Sequence, residues 1–340
     1  MMIGSTPKDN VIIIAEAGVN HNGDYNKALE LIDVAAESGA DFVKFQTFKA
    51  KKLVSNDANL ATYQRATTTY EKQSDMLTDL ELKYEWHEGL MKHAQKKSID
   101  FISTPFDLES INFLEKLGLN LFKIPSGEIT NLPYLRAIGK LQRNIVLSTG
   151  MANLGEIERA IEVLVDEGVD KRKITLLHCT TEYPAPFCEV NLAVIKTLRT
   201  AFDLPVGYSD HTEGSAVSIA AVALGARIIE KHFTLDRNLP GPDHKASLEP
   251  NELTEMIASI RQVEQSLGSR IKRPTASEIK NMEVVRKSLV AFTRIEKGEQ
   301  FTKKNITAKR PGNGISPMRF DEIIGKYASR EFGPDELIEI

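Results

Sequence analysis

Two stretches of the sequence each run from apolar residues into a histidine: Leu204-Pro-Val-Gly-Tyr-Ser-Asp-His211 and Ala226-Arg-Ile-Ile-Glu-Lys-His-Phe-Thr234. Both read as strands. Residues two apart in a strand share a face, so Glu230 and His232 point the same way as Ile228. Ionisable groups on an apolar face are costly unless paired, hydrogen-bonded or bound to metal. Two strands delivering His211 and His232 to one rim would begin a site for a borderline divalent ion, completed by water, substrate oxygens or a carboxylate. Buried, hydrogen-bonded histidines are the alternative. Lys44 and Lys123 also fall inside strand-like runs, where lysine is rarely buried. Beside Ser126, Ser148 and Ser209 they suit a phosphate or carboxylate, which accepts charge-assisted hydrogen bonds. Otherwise one of them snorkels outward or balances Glu16 or Glu128. His87 and His93 fall in a charged helical stretch and read as surface residues.

The elements that must position these groups alternate short apolar runs with amphipathic stretches, the signature of βα units on a parallel sheet. Strands are expected at 11–15, 41–46, 100–103, 121–124, 144–148, 173–178, 206–209 and 227–232. Helices are expected at 25–39, 81–97, 107–117, 132–140, 155–166, 191–201 and 252–267, with Asp107 as an acidic cap. This count predicts a (β/α)8 TIM barrel over 1–270, because no glycine-rich dinucleotide fingerprint follows the first strand. Nearly every strand ends in polar residues, as the active-site face of a barrel requires. The polar stretch 47–80 is too long for a structureless connection and predicts an excursion over one face. Residues 271–283 read as a linker. Over 284–340, short β-like pieces at 287–293, 295–302 and 305–310, punctuated by glycine and proline, predict a small β-rich second domain.

Composition narrows the function. Lys and Arg total 43 against 47 Asp and Glu, a formal charge of −4, so no footprint for nucleic acid is present. No apolar run approaches a membrane span and the first residues lack a signal-peptide core. Two cysteines, Cys179 and Cys188, argue for reduced thiols rather than a disulfide scaffold or a cysteine-based zinc site. The expectation is a soluble, cytoplasmic enzyme without nucleic-acid or membrane partners.

The ordered motifs carry a resemblance. Ala15-Glu-Ala-Gly-Val-Asn-His-Asn-Gly23, Val43-Lys-Phe-Gln-Thr47, Ser103-Thr-Pro-Phe106 and Lys123-Ile-Pro-Ser-Gly-Glu128 are followed by Leu147-Ser-Thr-Gly-Met151 and His178-Cys-Thr-Thr-Glu-Tyr-Pro-Ala-Pro186. Gly207-Tyr-Ser-Asp-His-Thr212, Glu230-Lys-His-Phe-Thr234, Gly241-Pro-Asp243 and Lys309-Arg-Pro-Gly-Asn-Gly314 complete the set. Nearly end to end, the chain resembles the bacterial sialic-acid synthases, which condense phosphoenolpyruvate with an N-acylated mannosamine-type sugar. The second domain looks like their antifreeze-like (SAF) module. The wording around Glu16 and His178 looks most like the legionaminic-acid synthase branch, whose acceptor is 2,4-diacetamido-2,4,6-trideoxymannose. An N-acetylneuraminate synthase using N-acetylmannosamine is the alternative.

The resemblance implies Mn2+ at His211 and His232, with Mg2+ or Co2+ as substitutes, acting as a Lewis acid. It implies phosphoenolpyruvate contacts at Lys44, Thr104, Lys123, Ser126, Ser148 and Ser209. Thr181 stands where one N-acetylneuraminate-synthase branch has asparagine, and takes that contact here. Glu16, Gln46, Tyr183 and Asp243 match positions near the sugar, Glu16 being the candidate for proton transfer. Arg310 matches an arginine that reaches the active site of the other subunit, so a domain-swapped homodimer is expected. In the implied reaction C3 of phosphoenolpyruvate attacks the sugar aldehyde, water adds at C2, and phosphate leaves. Rival readings are a 3-deoxy-keto-acid phosphate synthase, a Schiff-base lysine aldolase, and an ice- or carbohydrate-binding module on an inert barrel. The first leaves the second domain unexplained, and the last does not need two histidines and two lysines on one rim.

Overall fold

Branched apolar runs form eight parallel strands: β1 (Ile12–Gly18), β2 (Phe42–Thr47), β3 (Asp100–Pro105), β4 (Leu121–Ile124), β5 (Asn144–Ser148), β6 (Ile174–Cys179), β7 (Val206–Asp210) and β8 (Ile228–His232). In this computed structural model, which describes residues 10–55, 58–61, 64–65 and 68–340, they pair in the order β3-β2-β1-β8-β7-β6-β5-β4. β3 and β4, the two ends of that order, pack side by side and close the ring. This is the expected (β/α)8 barrel. Its helices start where the sequence supplies caps: Asp24 accepts from the first turn of Tyr25–Glu37, and Asn153 with Glu156 forms a capping box for Leu154–Asp166. The outward strand residues and the inner helix faces, such as Ile13, Val43, Leu31, Leu164 and Leu198, form the main core.

Inside the ring lies a second apolar layer made of Ile14, Ile102, Leu121, Val146, Leu177 and Ile228. Two residues further along each of those strands stand Glu16, Thr104, Lys123, Ser148, Cys179 and Glu230. The period-two alternation therefore sets a ring of polar side chains on a dry floor. β7 reaches the same level through Gly207, whose side must stay bare. A Cβ there would lie 2.4 Å from the Ile228 carbonyl oxygen and 2.6 Å from Leu177 Cδ2. Overpacking of this kind costs about 1–3 kcal/mol, so Gly207→Ala should melt roughly 5–10 °C below the native protein in calorimetry. An unchanged melting temperature would mean the floor is not close-packed.

The excursion after β2 has structure of its own, with helices Ala50–Leu53 and Gln73–Asp79. Val19, Phe48, Leu60, Met76 and Leu80 gather into a small separate apolar cluster with Phe106 against it. His87 departs from the sequence expectation. His87 is not a surface residue: it is fully buried, with Nε2 2.8 Å from Thr47 Oγ1 and Nδ1 3.1 Å from the Lys83 carbonyl. His93 is partly exposed and pairs with Asp33 at 2.7 Å.

The chain divides into two units at Gly268/Ser269. In the second, β9 (Ser288–Ala291) and β10 (Ile306–Lys309) pair antiparallel over a core that includes Leu289, Phe301 and Phe332. The expected strand 295–302 is instead two isolated bridges, Ile295 to Phe332 and Gln300 to Tyr327. Gly298, at φ +81°, turns the chain between them. Within the segment read as a linker, Thr275 and Glu278 form a capping box that opens a helix, Ala276–Val285, with mostly exposed side chains. Among the described residues no helix is long and apolar enough to cross a membrane.

Candidate active site

Four charged groups meet above the apolar floor. Lys44 on β2 lies 2.7 Å from Glu16 on β1 and 3.7 Å from Glu230 on β8. Lys123 on β4 lies 3.4 Å from the other oxygen of Glu230. All four are buried, so neither lysine snorkels outward. Burial alone would discharge every one of them. For Lys44 the two carboxylates outweigh burial and hold the ammonium above its ordinary value. For Lys123 burial prevails over Glu230 and leaves it below. Burial also works against Glu230, but Lys123, Lys44 and a hydrogen bond from Ser209 hold its carboxyl down. Glu16 goes the other way: burial, with Glu230 nearby, outweighs Lys44 and pushes it up to about 7. Two carboxyls with pKa values driven apart make one a fixed anion and the other a group able to exchange a proton near neutrality.

The hydroxyls complete this layer. Thr104 Oγ1 accepts from Lys44 Nζ at 3.0 Å, and Ser209 Oγ donates to Glu230 Oε1 at 2.9 Å. Gln46 Nε2 donates to Glu16 Oε1 at 3.2 Å. Ser126 Oγ accepts from the Gly150 N–H at 3.0 Å and lies 3.1 Å from Cys179 Sγ. Ser148 Oγ is buried without a hydrogen-bond partner. These groups, with Thr181 and Tyr183, line one cavity. Two ammonium groups, several hydroxyls and one ionised carboxylate favour a small, multiply charged anion bearing oxygens.

At the cavity rim the two predicted histidines come together, with ring centroids 5.6 Å apart. The Tyr183 ring lies 4.1 Å from that of His211 and 5.7 Å from that of His232. His211 Nδ1 donates to the Thr180 carbonyl at 2.6 Å, which leaves the Nε2 lone pair available. His232 Nδ1 is buried with no hydrogen-bond partner and lies 3.9 Å from Asp243. Burial lowers the pKa of His211 to about 4, and burial with His211 nearby takes His232 well below its usual value. Both imidazoles are therefore neutral, as metal ligands must be. Among the described residues no group of three or more His, Cys, Asp and Glu could hold an ion. The chain thus fits a divalent ion only with two nitrogens from the protein and oxygens from water or substrate.

Every sequence-predicted barrel residue reaches this cavity or its rim. Asp243, with its carboxyl raised to about 6 by burial, enters on the loop after β8. Asn20 pins that loop by donating to the Phe233 carbonyl and to Ser247 Oγ, and Ser247 donates to the Asp243 carbonyl at 2.7 Å. Arg310 lies in the second unit, where its Nε donates to the Val285 carbonyl. Sequence reasoning gave Glu230 and Cys179 no role. The Ile228-Glu230-His232 alternation was the available signal for the first.

A family model described as the NeuB family matches residues 31–272, and a SAF domain model matches 286–339. The chain belongs to the NeuB family. Among its relatives in that family is a Campylobacter jejuni protein named N,N'-diacetyllegionaminic acid synthase, 60% identical across 96% of this chain and 98% of its own. A Legionella pneumophila protein of the same name is 46% identical across 93% of this chain and 90% of its own. A crystal structure of the N-acetylneuraminic acid synthetase of Leptospira borgpetersenii superposes with a TM-score of 0.72 at 36% identity, over 81% of this NeuB-family chain and 90% of that one.

Proposed function

We propose that this protein condenses phosphoenolpyruvate with 2,4-diacetamido-2,4,6-trideoxymannose, giving N,N'-diacetyllegionaminic acid and phosphate. The observation that carries the reaction is the pair of buried ammonium groups, Lys44 and Lys123, set among hydroxyls on one rim. The acceptor is supported by the 60% identity to a protein of that name, against 34% to a pseudaminic acid synthase and 35% to the human N-acetylneuraminate-9-phosphate synthase.

In this reading Lys44, Lys123, Ser126, Ser148 and Ser209 hold the phosphate and carboxylate, with Thr104 steadying Lys44 and Thr181 closing the wall. Gln46, Tyr183 and Asp243 orient the sugar. Glu16, titrating near neutrality, moves a proton at a sugar oxygen. His211 and His232 would hold a divalent ion, Mn2+ in preference to Mg2+ or Co2+, which when bound supplies Lewis acidity toward a carbonyl oxygen. Fixed donors aimed at charge that develops only during the reaction favour the transition state over the ground state. Arg310 of a domain-swapped partner subunit completes the sugar site, and phosphoenolpyruvate as co-substrate places the enzyme in the cytoplasm.

The decisive assay is phosphate release from phosphoenolpyruvate with Mn2+ and either acceptor. The diacetamido-trideoxy sugar should turn over about tenfold or more better than N-acetylmannosamine, and EDTA should stop both. Preference for N-acetylmannosamine would replace the acceptor and keep the chemistry; turnover with neither would overturn the reading. Arg310→Ala should raise the acceptor KM roughly tenfold and leave phosphoenolpyruvate binding unchanged. Equal loss of both would make Arg310 structural.

A further inference from the structure

On the outer face of β7 and β8 the apolar pattern breaks at one register. Val206, Tyr208 and Ile229 face the barrel's outer core, but the next outward pair is Asp210 beside Lys231. Both are sealed from solvent, at 0% and 1% exposure, with Lys231 Nζ 3.1 Å from Asp210 Oδ2. A fully buried ion pair is a poor source of stability, since apolar residues of similar volume often serve as well or better. Its hydrogen bonds point to another use. Asp210 Oδ1 accepts from the Thr212 N–H at 2.8 Å and from Thr212 Oγ1 at 2.7 Å. Ser218 Oγ donates to Asp210 Oδ2 at 2.6 Å, and Lys231 Nζ donates to the Thr212 carbonyl at 2.5 Å.

Thr212, the residue after His211, is therefore held at its N–H, hydroxyl and carbonyl by the two residues that immediately precede the rim histidines. Asp210 precedes His211, and Lys231 separates Glu230 from His232. From this geometry we infer that the Asp210–Lys231 pair is a positioning clamp that fixes the spacing and aim of His211 and His232 from behind the barrel wall. The inference rests on reading those histidines as ion ligands. An ion that takes only two protein nitrogens gets no correction from further protein ligands, so its affinity depends on how well those two are held.

The test uses full-length protein stripped with chelator, and the variants Lys231→Met, Asp210→Asn, their combination, and Ser218→Ala. Mn2+ binding is read from the paramagnetic resonance signal of free Mn2+, phosphoenolpyruvate binding by metal-free calorimetry, and folding by melting. The combined variant, which leaves neither member of the pair charged, should melt within a few degrees of the native protein. Its Mn2+ Kd should rise about 10–100-fold, as for other residues that orient metal ligands, while its phosphoenolpyruvate Kd stays within about twofold. Ser218→Ala, which removes one donor and leaves the pair intact, should raise the Mn2+ Kd by roughly two- to fivefold and keeps the test open if the combined variant fails to fold. Unchanged Mn2+ affinity in the folded variants overturns the clamp, as does a loss of Mn2+ matched by a loss of phosphoenolpyruvate. No Mn2+ binding by the native protein would overturn the ion-site reading first, and the clamp with it.

Discussion

Replacing Lys123 with methionine should lower kcat/KM for phosphoenolpyruvate by on the order of 10³, because it removes a charged donor from a water-excluded site. The reason lies in how the four charges share partners. Among the described residues, Glu230 is the one carboxylate within 4 Å of Lys123, whereas Lys44 has both Glu16 and Glu230. Without Lys123, Glu230 keeps Lys44 and the Ser209 hydroxyl, so the site stays paired and the fold survives. Glu230→Gln is the converse. It leaves Lys123 buried without a counter-charge, and breaking a buried pair from one side costs about 3–5 kcal/mol. That variant should therefore lose both turnover and stability, melting roughly 10 °C lower, and phosphate should restore part of the melting temperature by supplying the missing anion. Steady-state kinetics and melting of the two variants separate the roles. Equal destabilisation by both, or turnover by Lys123→Met within tenfold of native, would show that the lysine serves Glu230 rather than the substrate.

The alternation that put Glu16, Lys44, Lys123, Ser148 and Ser209 on strand ends was legible because a buried barrel strand tolerates polar groups only at its open end. The same alternation placed Glu230 on the inner face but could not name its neighbours. Those are Lys44 and Lys123, on β2 and β4, and only ring closure brings them within 4 Å. His87 shows the reverse case. It shares a helical face with Leu90 and Ala94, all three buried, so the spacing carried the signal and the surrounding charges obscured it. The helix Ala276–Val285 was likewise announced by Thr275-Ala-Ser-Glu278, a capping box that the basic, proline-containing residues before it concealed. The isolated bridges at Ile295 and Gln300 had no such marker, since a single bridge leaves no period to read.

Acid should unfold the barrel at a pH well above the carboxylate range. His21, His87, His211 and His244 are each held at about 4, foremost by burial, and burial with His211 nearby takes His232 well below its usual value. In the unfolded chain the same groups take up a proton near 6.5, so between these values unfolding binds protons and stability is lost as the pH drops. From pH 7 to pH 5 each histidine withdraws about 2 kcal/mol, roughly 10 kcal/mol for the five. Glu16 and Asp243 act in the opposite sense, because their raised values mean that the folded protein binds protons first, and they return about 3 kcal/mol. The net loss of about 7 kcal/mol is comparable to the whole stability of an ordinary domain. Urea midpoints in the presence of chelator should therefore drop steeply between pH 6.5 and pH 5, and the protein should be largely unfolded near the lower end. His87→Gln removes one of these protonation sites away from the cavity. Its loss from pH 7 to pH 5 should be about 2 kcal/mol smaller, whatever the substitution costs at neutral pH. If the variant and the native protein lose stability in parallel, His87 titrates in the folded barrel, and the seal around Thr47 and the Lys83 carbonyl is open to water.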